Sequence, residues 1–459
     1  MFTTSIDSAL PLTEIQTWDP STPGLIGTAP WQTYSLEDYI AAGGYQLTFG
    51  EMPDTDTLLD ELESLPTARA LRGRGGAAFS TLRKLRSVAD ACHAGGRRAA
   101  VIANGAEGEP LSYKDRYLLR YRTHLVLDGA LVAAGATGAD TIHLYVADTA
   151  AHAAVAEAIA QLDSRRSGGP AIVAVAAQDT YVAGEETAVV RAVATGIARP
   201  QDKPPRPFQS GIDGAPTLVS NVETLAWLAL ILRRGTIKTA DRFLSTVAGE
   251  HMPAHLYELP VGLPLQELIR RLPSGDEAPG RNILIGGFFG GIIPADSNLL
   301  LDYPSVRAMD SSLGCGSLYF LSPATCPIRV AADVVTYYAT HNARQCLTCI
   351  YSTRTIAEAL AGLGELDNDP SVIDRFKKWS TSLRGTGACA VPDGVATMLR
   401  TLLRHYPDVL AKHIDEGCSD CNKAPKQDRW ASLTLQPNHH PSLITSMTEP
   451  HTTTQTTGA

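Results

Sequence analysis

The chain predicts an α/β fold class with two further units: an α/β domain, a small α+β module and a helical C-terminal domain. Three observations carry this reading. From residue 71 to about 238, short apolar runs alternate with segments of helical period. Residues 246–300 shift to short strand-like runs, many Gly and one helical stretch. From about 329 to 416 the pattern is mostly helical, with cysteines spaced between the helices. The divisions that follow are 1–70, 71–245, 246–325, 326–422 and 423–459.

In chain order, residues 1 to about 35 contain Pro and Thr with little periodicity and read as an extended arm. Residues 36–70 carry short helical patterns such as Thr57-Leu58-Leu59-Asp60-Glu61-Leu62. Arg98-Ala99-Ala100-Val101-Ile102-Ala103 reads as a buried strand, followed by one helix from Tyr117 to Ala134. Ile142 to Val146 and Ala171 to Val175 are further strands around an Ala-rich helix at 149–162. Ser220-Asn221-Val222-Glu223 fits a capping box opening a helix over 222–233. In the next module the helix is Leu265 to Leu272. The end, from Lys423, is rich in Pro, His and Thr, and its few apolar residues cannot offset chain entropy, which predicts disorder.

The net charge of −9 argues against general binding to nucleic acid or an anionic membrane, so any phosphate must be held by local groups. No apolar run reaches about 18 residues and no secretory signal is visible. The chain is expected in the cytoplasm, without direct membrane insertion. Its eight Cys cluster toward the last third, which there favours metal or redox roles over a disulfide framework.

Three separated segments offer ligand chemistry. Gly73-Arg74-Gly75-Gly76-Ala77-Ala78-Phe79 precedes a helix from Phe79 to Cys92. Its glycines allow close backbone approach, and the helix start offers N–H groups to a phosphate. A helical stretch stands before it where a dinucleotide fingerprint needs a strand, so a plain turn is the competing reading. Glu107 and Glu109, in Asn104-Gly105-Ala106-Glu107-Gly108-Glu109, and Glu185 and Glu186, after Gly184, lie at strand-to-loop exits. Such carboxylates accept hydrogen bonds from ribose or carboxamide, or else are solvated loop charges paired with Lys114, Arg116 or Arg191. Lys203-Pro204-Pro205-Arg206-Pro207 is a stiff segment whose bases face a phosphate, or a surface linker.

Taken together, these segments resemble the NADH-binding, FMN-containing flavoprotein subunit of respiratory complex I and its relatives in NAD-linked hydrogenases and formate dehydrogenases. The resemblance runs from about Leu36 to Leu403. It takes in Ala42-Gly43-Gly44-Tyr45, Leu71 to Lys84, Asn104 to Arg116, Tyr181 to Thr187, Lys203-Pro204-Pro205, Gly214-Ala215-Pro216-Thr217 and Asn221-Val222-Glu223-Thr224. It implies a Rossmann-like FMN and dinucleotide domain, then a ubiquitin-like β-grasp module of the soluble-ligand-binding kind, then a helical iron–sulfur domain. It implies FMN held by Gly73, Arg74, Gly75, Gly76, Asn104, Glu107, the Gly184-Glu185-Glu186 turn and Asn221. NADH would lie near Phe79, contacted by Lys84, Glu109, Glu186 and Lys203. The family's Asp and Asn are replaced by Ala106 and Ser220. Its adenine-side aromatics are replaced by Arg206 and Ser87, and Arg206 with Arg83 and Arg86 keeps NADPH open beside NADH.

The resemblance also implies a [4Fe–4S] cluster on three Cys at intervals of three residues and one distant Cys. Cys346 and Cys349 match the second and third, Ala343 stands in place of the first, and Cys389 is the distant ligand. Three thiolates leave a labile iron, a [3Fe–4S] cluster or no cluster, unless Cys418 or Cys421 moves in. Cys418 and Cys421 alternatively bind zinc with Cys346 and Cys349. Cys92, Cys315 and Cys326 read as structural thiols. The implied function is an NAD(P)H-dependent FMN oxidoreductase that delivers electrons through the cluster to a redox protein or further electron-transfer subunits. The alternative is a non-catalytic assembly subunit of the same fold with zinc or no metal.

Overall fold

A computed structural model describes residues 12–21, 24–178, 180–234, 242–272, 282–295, 298–363 and 370–421. The segment 423–459 lies outside the described residues. Twelve strands are present among the described residues. They are β1 Leu12–Thr17, β2 Ala99–Gly105, β3 Ala139–Val146, β4 Ala171–Ala176, β5 Thr217–Asn221, β6 Arg242–Gly249, β7 Met252–Pro260, β8 Leu263–Pro264, β9 Asn282–Ile285, β10 Ile292–Pro294, β11 Leu300–Leu301 and β12 Leu318–Phe320.

Four of these form a parallel sheet in the order β4-β3-β2-β5. Alternation along its strands supplies two apolar faces. Val101, Ala103, Ile142, Leu144 and Leu218 join the main core with Leu127 and Leu131 of the helix Thr123–Thr137 and with Trp227 of the helix Val222–Arg234. Ile102, Tyr145 and Val219 face the other way, onto Val189 and Val190 of the helix Glu186–Thr195. The chain leaves β2 to build β3 and β4 on one side, then returns to place β5 on the other. That reversal between β2 and β5 is a topological switch point, where sheets of this kind bind ligands beyond the strand ends.

The second sheet has six strands in the order β1-β7-β6-β12-β9-β10. β6 and β7 form an antiparallel hairpin, β12 runs parallel to β6, and β9 and β10 continue antiparallel. The helix Leu265–Arg271 covers it through Leu265, Leu268 and Ile269. Five helices follow: Pro327–His341, Leu347–Gly362, Val372–Ser382, Val391–His405 and Pro407–Glu416.

The structure corrects three sequence expectations. First, the described part of the N-terminal arm is not merely extended. Leu12–Thr17 pairs parallel to β7, and the buried Arg122 guanidinium donates to the carbonyls of Leu25, Ile26, Ala29 and Gln32. Those carbonyls spread along an irregular segment, which no periodicity could announce. Second, the helix expected from Tyr117 to Ala134 is two, Lys114–Tyr121 and Thr123–Thr137, broken where Arg122 leaves helical dihedrals to make that clamp. Third, the capping box does not form. Ser220 stays in β5, and Asn221 Oδ1 accepts the N–H of Glu223 instead. The Glu223 carboxylate is taken by the Leu244 N–H at 2.9 Å and the Trp227 indole at 3.3 Å. Among the described residues, no helix is long and apolar enough to cross a membrane.

Candidate functional site

At the switch point Asn104 and Asn221 are register partners at the carboxyl ends of β2 and β5. Asn104 donates its amide to the Gly184 carbonyl at 2.9 Å, tying β2 to the turn that opens the helix Glu186–Thr195. Above them lies the glycine loop, closed by Gly73 N–H to Phe79 carbonyl at 2.8 Å and by the Arg72–Ser80 bridge. It feeds the helix Thr81–Gly95, capped by Ser80. Gly75 sits so close that a β-carbon there would lie 3.2 Å from Asn221 Cβ. Gly76 has φ +112°, and a β-carbon there would meet nothing within 4 Å. The loop therefore has one side packed on the sheet end and one open side, a cradle for a flat ligand. Beside it, the buried Arg116 Nη1 and Tyr113 hydroxyl have no hydrogen-bond partner in the protein.

A charged group of side chains lies next to this cradle. Phe79 is 50% exposed, and Arg83 covers its ring at 5.6 Å. Lys84 reaches Glu186 at 3.8 Å; Lys203 reaches Glu186 at 3.3 Å and Glu185 at 2.7 Å; Arg206 reaches Glu186 at 3.9 Å. Three cations thus converge on two carboxylates, from segments separated by more than a hundred residues. A group with this surplus of positive charge suits a phosphorylated ligand. Arg86 is not part of it. It turns to Asp60 and Glu63, so the expected grouping of Arg86 with Arg206 around a phosphate is not formed.

Four of the expected ligand residues are occupied by structural tasks. Glu107 accepts from Ser112 Oγ at 2.7 Å and from the N–H groups of Asp115 and Arg116, capping the helix Lys114–Tyr121. Burial pushes its carboxyl pKa up, with Asp115 adding to the effect. Glu185 is the N-cap of its helix, accepting from Thr187 and Ala188. Arg74 sends its guanidinium to Tyr303 and to the Arg242 carbonyl, pinning the glycine loop to the second sheet. Glu109 accepts the Phe288 N–H at 3.1 Å, and Gly287 needs its φ of +75° and missing side chain to let that carboxyl approach. Burial raises Glu109 to about 8 against the pull of the Phe288 and Leu111 N–H groups and Tyr181. Each of these four side chains thus makes a local structural bond as well as lining the region of the expected cofactor contacts.

Under the cradle lies a residue that the sequence pattern marks only as a salt-bridge partner. The buried Lys114 bonds Asp115 at 2.7 Å, Glu223 at 3.1 Å and Asn221 Oδ1 at 3.2 Å. Burial opposes its charge, but Asp115, Glu223 and Glu107 hold its pKa above the usual lysine value. Asn221 also donates to Asp115 Oδ2 at 2.7 Å. The motif Lys-Asp-Arg after a loop carries no visible sign of this, because its partners arrive from β5 and the helix after it.

The cysteines fall into two groups. Cys346 is the N-cap of the helix Leu347–Gly362, Cys349 lies in its first turn, and Cys389 precedes the helix Val391–His405. The three thiols sit within electrostatic reach of one another: after burial, Cys389 and Cys346 push Cys349 up to about 12. Cys389 also senses Glu185 and Lys203, so these thiols adjoin the charged group. Three thiols at helix starts suit an iron–sulfur centre with three protein thiolates. Cys418 and Cys421 are not with them. They join Cys326 and His413, a set whose ligand atoms lie within 4.8 Å of one another. The expected pairing of Cys418 and Cys421 with Cys346 and Cys349, and the plain structural reading of Cys326, are both corrected. The spacing Cys-x₂-Cys was visible in the sequence, but its partners 92 and 5 residues upstream were not.

Comparison with known proteins matches residues 67–229 to the Nuo51 FMN-binding domain and residues 329–413 to the NADH-ubiquinone oxidoreductase-F iron–sulfur binding region. The second of the NADH-quinone oxidoreductase F subunits of Rhizobium meliloti (strain 1021) is 28% identical over 408 residues, covering 83% of this chain and 94% of that one. The corresponding F subunit of Rickettsia typhi is 27% identical over 408 residues, covering 83% and 95%. That of Mycobacterium bovis is 28% identical over 382 residues, covering 78% and 85%. Among solved structures, an NAD⁺-reducing [NiFe]-hydrogenase in the H₂-reduced state superposes with a TM-score of 0.67 at 23% identity, covering 81% of this chain and 67% of that one, a likeness of fold.

Proposed function

Since this chain belongs to the family of NADH-binding, FMN-containing iron–sulfur flavoprotein subunits, we propose that it is an NADH dehydrogenase of the diaphorase type. FMN, held by the Gly73–Gly76 loop with Asn104 and Asn221, would supply the chemistry that couples two-electron hydride transfer to one-electron transfer. The chain's own residues bind and orient. The Gly73–Gly76 backbone offers the loop and helix start to the flavin phosphate, and Asn104 and Asn221 set the floor. Phe79, Lys84, Glu186, Lys203 and Arg206 form the nucleotide side. No general base is assigned, because direct hydride transfer needs none.

The observation that carries this reading is the placement of Glu185 and Lys203. They belong to the charged group, and they also lie within electrostatic reach of Cys389. This supports a reading in which nucleotide, flavin and cluster share one wall, as an electron path requires. The non-catalytic alternative rested on Ala106 and Ser220. Ala106 is buried at the turn, where a β-carbon on Gly184 would stand 3.6 Å from it, and the open side of the cradle remains.

The strand order β7-β6-β12-β9-β10, with parallel β6 and β12 at its centre and a helix across one face, supports the β-grasp reading of residues 246–325, with β1 as an added edge strand. Because β6 starts at Arg242 in this sheet, we set the end of the α/β domain before Arg242 and not at 245, with the helical domain from 326. The electron acceptor is a further redox subunit, and the compartment is the cytoplasm. Steady-state NADH oxidation with a one-electron dye tests the assignment. Glu186→Ala and Lys203→Ala should raise KM for NADH about tenfold or more, the loss of one charge-assisted contact. An unchanged KM in both variants would remove the charged group from the nucleotide site.

A further inference from the structure

We propose that Cys326, His413, Cys418 and Cys421 form a second metal site, a structural Cys₃His zinc centre separate from the iron–sulfur ligands Cys346, Cys349 and Cys389. Its residues lie largely outside the iron–sulfur region at 329–413, which includes only His413 of the four.

The geometry selects the metal. Cys326 Sγ lies 3.7 Å from Cys421 Sγ, and His413 Nε2 lies 3.2 Å from Cys326 Sγ and 3.3 Å from Cys421 Sγ. A tetrahedron with zinc–sulfur bonds of about 2.3 Å has sulfur–sulfur edges of about 3.8 Å and nitrogen–sulfur edges of about 3.5 Å. All four donor atoms fall within 4.8 Å of one another. Four irons and four sulfides set between these ligands would hold them farther apart, so the group suits one ion and not a cubane. A sulfur–sulfur distance of 3.7 Å is also far beyond a disulfide bond.

The surroundings fix the donors. His413 Nδ1 donates to the Val409 carbonyl at 2.7 Å, which leaves the Nε2 lone pair facing the thiols. Cys326 is the N-cap of the helix Pro327–His341, and its N–H donates to Asp420 Oδ2 at 3.1 Å. Arg329 donates to the Cys421 carbonyl at 2.9 Å. Both bonds hold the Cys418–Cys421 turn against the start of that helix before any ion arrives. The donor set is closed: three thiolates and one imidazole complete four-coordination, leaving no position for a substrate, which is the mark of a structural site. Zinc binding displaces the three thiol protons and joins the helix Pro407–Glu416 to the helix Pro327–His341.

Elemental analysis of the full chain tests this. The parent should carry about one zinc per chain besides its iron. Cys421→Ser and Cys326→Ser should lose that zinc and keep iron and the visible iron–sulfur absorption, whereas Cys346→Ser should lose iron and keep zinc. A parent without zinc, or iron lost from Cys421→Ser while Cys346→Ser retains it, would overturn the assignment. Should the thiol variants not fold, zinc-edge X-ray absorption on the parent decides alone. Three sulfurs and one nitrogen around zinc support the site, and any other shell refutes it.

Discussion

Replacing Lys114 by Met tests how the floor of the cradle is held. Met is close in volume, so packing is nearly kept and charge is the variable. Lys114 Nζ lies 2.7 Å from Asp115 and 3.1 Å from Glu223, and all three side chains are buried. At an effective dielectric of about 20, those pairs represent attractions of about 6 and about 5 kcal/mol. Most of this is cancelled by the cost of burying the lysine, but the carboxylates left behind have no such compensation. Removing one partner of a buried ion pair costs about 3–5 kcal/mol, and that is the loss expected here. Urea unfolding followed by tryptophan fluorescence reads it, since the Trp227 indole donates to Glu223. The double variant Lys114→Met/Glu223→Gln removes one stranded carboxylate and should recover about half of the loss. A single variant within about 1 kcal/mol of the parent, or a double variant no better than the single, would refute the reasoning.

Three further outcomes follow from the site. Gly76→Ala forces an L-residue into φ +112° and points a methyl into the open side of the cradle, so FMN occupancy of the purified protein should fall about tenfold or more; full occupancy would displace the flavin from this loop. Because Glu109 is raised to about 8 by burial, the folded state keeps a proton that the unfolded chain releases near its ordinary value of 4.5. Stability from this group is therefore complete below that value and declines as pH rises to about 8; Glu109→Gln should flatten this slope, and an identical pH profile of unfolding would contradict the burial argument. With Arg86 engaged by Asp60 and Glu63, NADH should be preferred over NADPH, and Arg206→Phe should leave that preference in place; equal rates with both nucleotides would show that Arg206 and Arg83 suffice to hold a 2′-phosphate.

Much of the fold was legible because its signals are local. Val101 to Ala103 and Leu144 to Val146 announce buried strands by composition, and Gly73–Gly76 before a helix announces a tight approach. The order of the site segments along the chain also held the family pattern. What stayed hidden depends on long-range placement. Arg122 reads as one helical residue among many, yet it breaks the helix to clamp a segment about ninety residues upstream. That Glu107 and Glu185 cap helices was hidden, because caps and ligand-facing loop carboxylates occupy the same kind of sequence position. Cys326 appeared isolated because its partners, His413, Cys418 and Cys421, come from the far end of the helical domain. Asn221, and not Ser220, takes the cap because β5 runs to Asn221 and the helix starts directly after it, at Val222.

The most direct test of the central claim is the anaerobic absorption spectrum of the purified full chain before and after an excess of NADH. A flavin band over a broad iron–sulfur shoulder is expected, with both bleached on NADH addition. A colourless protein, or a flavin spectrum that NADH leaves unchanged, would contradict it.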